Sequence, residues 1–124
     1  MNSKVILRFA SLATLLFMTL HMTSDVIEQA VGRVKYPIPV VIFVVWLYGT
    51  LMLSERVSGY IIMLLGGVIG AGMIVVHSPG LVVTKTGGFF AVWILFMVAM
   101  LGWFTAILSA RALWMHFRSS HGRP

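Results

Sequence analysis

Residues Val57–His77 read VSGYIIMLLGGVIGAGMIVVH, a run that contains no Asp, Glu, Lys or Arg. A helix needs about 20 mostly apolar residues to cross the ~30 Å hydrocarbon core of a bilayer, because each residue advances it about 1.5 Å. A membrane strand needs about ten residues of alternating character. This run is twice as long and does not alternate, so it predicts a helix. It begins after Ser54-Glu55-Arg56 and stops at Ser78-Pro79-Gly80, polar and turn-forming text on both sides. The solvent for such a helix is lipid.

Three further segments repeat the pattern. The first covers about residues 5–27, VILRFASLATLLFMTLHMTSDVI, with Arg8 near its start. The second follows the helix-breaking Pro37 and Pro39 and covers about 38–54. The last starts at Gly87-Gly88, covers about 88–110, and its helix extends towards His116. The expected fold is therefore an all-α integral membrane protein, a four-transmembrane-helix antiparallel bundle in one domain, residues 1–117. Residues 118–124 form a polar, Gly/Pro-terminated tail expected to be disordered. The stretch HMTSDVIEQA after the first span lacks a small-x-small cleavage pattern, so that span is read as retained rather than as a signal peptide.

Composition agrees. The 124 residues are 60% hydrophobic and 10% charged, with mean hydropathy +1.01. A soluble domain carries about 25% charged residues, and a small globule has too little interior to hide this much apolar surface. No cysteine is present, which excludes disulfides, thiolate metal sites and cysteine nucleophiles. The net charge of +6 does not point to nucleic acid. The cations are scattered over termini and loops with no aromatic-interleaved basic stripe. They mark the water-facing ends of spans and contacts with anionic headgroups.

Their distribution also orients the bundle. Four spans place Lys4, Arg8, Arg56, Arg111, Arg118 and Arg123 on one side and Arg33, Lys35 and Lys85 on the other. The richer side is expected to be cytoplasmic, with both termini, in a bacterial-type inner or plasma membrane.

On a helical wheel Ser11, Thr14, Met18, His21, Asp25 and Glu28 of the first span share an arc of about 100°. Such a stripe is costly in lipid and should point into the bundle. In the third span Gly59, Met63, Gly66, Gly70, Met73 and His77 share about 80°. Gly66 and Gly70 form a small-xxx-small pair that lets another helix approach closely. Gly59, Gly66 and Gly70 are thus the expected helix-packing face, and Ala99, Gly102, Ala106 and Ser109 form a second one on the last span. If the first and third faces meet, His21, Asp25, Glu28 and His77 converge at the external end, with Met18, Met22 and Met73 beside them.

That cluster is the candidate site. Imidazole and carboxylate at i, i+4 and i+7, with an imidazole from another helix, suit zinc or a similar ion, and the Met thioethers favour copper(I). His21 with Asp25 is the kind of coupled titrating pair that proton carriers use. Two facing histidines also meet the minimum for haem b. Against these stands a structural reading, with the carboxylates at the helix end paired to Arg33 and Lys35, His21 hydrogen-bonded to a Ser or Thr, and His77 ending the third helix, where a cation suits the negative dipole end. No phosphate-binding loop, serine-nucleophile motif or paired mid-membrane carboxylates occur, since GGVIGAG lies inside a hydrophobic helix without a following Lys-Ser/Thr. The expected function is non-enzymatic: an accessory or assembly subunit of a membrane complex, whose partners are the lipid bilayer and other membrane subunits or further copies of itself. Ion, proton, metal or haem handling by His21, Asp25, Glu28 and His77 is the alternative.

Overall fold

A computed structural model describes the backbone of residues 2–28, 37–77 and 88–122 and the side chains of 2–23, 39–75 and 92–122. It is all helical, with no strand among the described residues. Four helices follow one another: α1 (Ser3–Glu28), α2 (Pro37–Met52), α3 (Val57–His77) and α4 (Gly88–His121). Three of them, α1, α3 and α4, are long and apolar enough to cross a membrane. At 16 residues α2 rises about 24 Å, less than a bilayer core.

Local chemistry explains the helix ends. Asn2 caps α1: its side-chain Oδ1 accepts from the Lys4 N–H at 3.2 Å, and its carbonyl accepts from Val5 and Ile6. Pro37 and Pro39 fall in the first turn of α2, where a missing N–H costs nothing. Between α2 and α3 the chain reverses over four residues, Leu53–Arg56, and the Arg56 N–H donates to the Leu53 carbonyl at 2.8 Å. Gly59 makes that reversal feasible, because a Cβ there would fall on the Leu53 carbonyl. At its far end α4 continues to His121, through the first four residues of the polar tail, all of them exposed.

The helices are packed unequally. α3 and α4 share the most extensive contact and α1 lies along α4. α2 leans more lightly on α3 and α1, and α1 touches α3 least. This is the order expected of a ring of four in which α1 and α3 sit diagonally. α3 and α4 meet backbone to backbone, since a Cβ on Gly102 would stand 2.5 Å from the Ala71 nitrogen and 2.8 Å from the Gly67 carbonyl oxygen. Only small residues allow such an approach.

Two apolar clusters fill the interior. Leu7, Tyr60 and Met63 gather with Leu108, Ala112 and Leu113 at one end, which brings the start of α1, the start of α3 and the last third of α4 together. Leu15, Met18, Trp46, Ile94 and Val98 form the other, with Phe17, Phe43, Ile62 and Met73 packed against them. The polarity of the whole is inverted relative to a soluble domain. Phe9, Val44, Val75, Trp103 and Ile107 are at least 60% exposed, whereas Ser11, Thr14, Thr50, Thr105 and Ser109 are completely buried.

Candidate functional site

The polar stripe of α1 faces the bundle interior as its periodicity requires, and neighbouring helices answer it one turn at a time. Arg8, in the second turn, donates from Nε to Ser54 Oγ at 2.6 Å, tying α1 to the α2–α3 turn. Nearby, Lys4 Nζ stands 3.9 Å from the Glu55 carboxylate, both side chains half or more exposed.

One turn further in, Ser11 meets α2. The Trp46 indole N–H donates to Ser11 Oγ at 2.9 Å, Ser11 and Thr50 hydroxyls lie 2.7 Å apart, and Thr50 donates to the Trp46 carbonyl at 2.9 Å. A hydroxyl has a single hydrogen to give. Thr50 gives its hydrogen to the carbonyl, so Ser11 must be the donor to Thr50. The bonds therefore form a directed circuit that leaves Trp46 through its indole and returns to it through its carbonyl. The next turn repeats this logic against α4. Thr14 donates to the Ala10 carbonyl at 2.7 Å, which leaves Thr105 as donor to Thr14 across 3.2 Å. Each of these hydrogens is already committed.

Beyond Thr14 the stripe becomes apolar and then ionisable. Met18 is buried, and Met73 of α3 packs against the cluster that contains it. Phe17 meets Trp93 of α4 edge to face with ring centroids 5.7 Å apart. Then comes His21, 6% exposed, with Met22 half-buried beside it. The backbones of Asp25 and Glu28 occupy the last two turns of α1, and His77 is the last residue of α3. The side chains of Asp25, Glu28 and His77 lie outside the described residues. The described side chains include no group of three His, Cys, Asp or Glu that could hold a metal ion.

The glycine face of α3 is divided among three neighbours. Gly66 lies against the Trp46 indole, so that a Cβ would stand 2.6 Å from Nε1. Gly70 faces the Thr14 methyl, 3.0 Å from where its Cβ would be, and the Gly102 Cα of α4 at 3.4 Å. Gly59 serves the α2–α3 turn. The α1 stripe and the α3 face do approach each other, at Thr14 and Gly70, but α2 and α4 take up most of both surfaces. Trp46, Thr50 and Thr105, which complete the polar interior, were not among the residues singled out by pattern. The signal was present in the i, i+4 pairs Trp46/Thr50 and Thr105/Ser109, the polar side chains of otherwise apolar helices. Comparison of the chain with protein-family models, with curated proteins and with solved structures yields no match, so the reading of this site rests on the residues themselves.

Proposed function

We propose that this is a multi-pass membrane protein that crosses the bilayer four times with both termini in the cytoplasm, and that it is a non-enzymatic accessory or assembly component of a membrane complex. The observation that carries the reading is the inverted polarity with a closed interior. Bulky apolar side chains cover the outside, while the hydroxyls of Ser11, Thr14, Thr50 and Thr105 and the Trp46 indole are committed to one another and to backbone carbonyls, which leaves Ser109 as the one buried hydroxyl without a partner among the described residues. A transport path needs polar groups left over for the cargo, whereas a scaffold needs them satisfied. For α2, the described helix supplies about 24 Å of the crossing, and residues 29–36 precede it.

The second reading is ion or proton handling by His21, Asp25, Glu28 and His77. It is favoured by one observation, a histidine 6% exposed on the polar stripe of a membrane helix. Ionisable groups at such depth are costly and are commonly retained for function.

Gentle extraction and purification separate the two. Unrelated subunits that co-purify equally with wild type and His21→Ala support the assembly reading. Bound metal, a haem absorption band or vesicle proton flux that is lost in His21→Ala overturns it in favour of the second. Because the chain has no cysteine, a single cysteine at Asn2 or Ser119 reports sidedness through labelling with an impermeant maleimide. Labelling of intact cells at either position overturns the orientation.

A further inference from the structure

We propose that the end of the bundle holding the α1 N-terminus carries a binding site for the phosphodiester of an anionic glycerophospholipid, with Lys4 and Arg111 as its cationic flank. The proposal rests on the membrane reading above and names a ligand for one end of it. Contacts of the described residues gather the start of α1, the α2–α3 turn and the last third of α4 at this end. Among the described residues, five cations, Lys4, Arg8, Arg56, Arg111 and Arg118, therefore share this end with a single acidic side chain, Glu55. Glu55 does little to neutralise them. Its one ion pair among the described residues, to Lys4 at 3.9 Å, is exposed, and exposed pairs of this kind are worth about 0–1 kcal/mol.

Between α1, α3 and α4 lies a pocket of about 80 Å³, bordered by Ser3, Lys4 and Arg111 and floored by Leu7, Tyr60 and Leu108. Tyr60 is 5% exposed and Leu7 2%, so the floor is fixed by the core. Arg111 makes no ion pair among the described residues. The depth is suitable: the 23 residue-to-residue steps from Gly88 to Arg111 advance about 34 Å, which puts Arg111 just beyond a ~30 Å hydrocarbon core. Trp114, Met115 and Phe117 follow, all exposed, a composition that suits the headgroup layer. Cations at the rim of an apolar floor match a molecule whose phosphate joins directly to hydrocarbon. Free phosphate would gain nothing from Leu7 or Leu108.

The test uses the full chain reconstituted into vesicles of phosphatidylcholine, with or without phosphatidylglycerol, followed by native mass spectrometry of the retained lipid. The wild type should retain phosphatidylglycerol preferentially. Arg111→Gln and Lys4→Gln should each lower that preference about fivefold, the equivalent of about 1 kcal/mol per cation near a membrane surface. Arg118→Gln, a cation outside the pocket, should leave it nearly unchanged and also controls for folding. An equal loss in Arg118→Gln overturns the site in favour of diffuse charge. Displacement of the lipid by inorganic phosphate at matched concentration overturns the lipid assignment. Equal retention of the two lipids by a protein that floats with the vesicles sinks the site and leaves the membrane reading standing. Failure to float with either vesicle sinks the membrane reading itself.

Discussion

The α3–α4 contact and the α1–α2 contact hold helices together by opposite means. Between α3 and α4 the side chains are nearly absent: Gly67, Gly70 and Ala71 lie against Gly102 and Ala106, and backbone meets backbone. Between α1 and α2 the side chains do the joining through the Trp46–Ser11–Thr50 circuit. Apolar grooves stay open beside it, about 350 Å³ along Leu12, Leu16, Val40 and Val44 and about 260 Å³ on the α3 side along Val45, Ile62 and Ile69. In the membrane setting proposed above, lipid tails are as apolar as these helices, so burying leucine against leucine gains little. Close approach and hydrogen bonding are the two remaining devices, and this small bundle uses one on each side.

The sharpest way to break the comparison is to fill the close contact. Gly102→Leu inserts a side chain where even a Cβ would stand 2.7 Å from the Gly70 carbonyl carbon. The helices must separate, at a cost of about 3 kcal/mol or more, measured as a drop in unfolding midpoint in a detergent titration. Gly72→Leu is the control, since nothing among the described residues stands within 4 Å of its would-be Cβ. If both variants fall equally, glycine content and not close approach is what stabilises α3.

A smaller effect is expected from the hydrogen-bonded side. Ser11→Ala removes the acceptor of the Trp46 indole and the donor to Thr50 while leaving the volume almost unchanged. A buried donor stranded in this way costs about 1–3 kcal/mol. Trp46→Phe in the same background should then cost less than it does alone, because the indole N–H has already lost its partner. Additive losses in the double variant would show that Trp46 acts through its size alone.

These two regions were not equally legible in the sequence. Hydrophobic length and the absence of charge in Val57–His77 were enough for the helices, because spanning depends on composition and not on neighbours. The inward face of α1 was legible too, since Ser11, Thr14 and His21 repeat at helical spacing and all three are buried. Which helix would answer that face was not. A wheel ranks faces without naming partners, and the Gly66-Gly67 pair offers glycine in two directions, one taken by Trp46 and the other by Ala106. α2 gave little warning, being apolar almost all the way round, so that Trp46, Gly49 and Thr50 alone distinguish its inner side. The candidate cluster remains an expectation from spacing along two helices. Its histidine in α1 is buried, whereas the side chains that would join it from residues 25, 28 and 77 fall outside the described region.

The third expectation has the opposite sign. Ser109 is completely buried on the small-residue face of α4, and its hydroxyl has no hydrogen-bond partner among the described residues. An unsatisfied buried hydroxyl is a standing cost of about 1 kcal/mol or more. Ser109→Ala should therefore raise the unfolding midpoint by about 1 kcal/mol, where the chemically identical change at Ser11 lowers it. Loss of stability at both positions would mean that Ser109 bonds to a group outside the described residues.

The smallest effect tests the one place where the two devices meet. Thr14 faces Gly70 through its methyl and Thr105 through its hydroxyl. Its own hydrogen is given to the Ala10 carbonyl, so the link to α4 depends on Thr105 as donor over a long 3.2 Å. Interhelical hydrogen bonds in membranes average about 0.6 kcal/mol in double-mutant cycles, and one this long should not exceed the average. Thr14→Val, Thr105→Val and the double variant keep the shape and remove the hydroxyls, and their coupling should come out near 0.5 kcal/mol. A coupling above about 2 kcal/mol would rank the α1–α4 hydrogen bond above the α1–α2 circuit, whose three bonds share both ends with one tryptophan. α1 would then be held chiefly by α4, and α2 would be a helix leaning on a finished three-helix core.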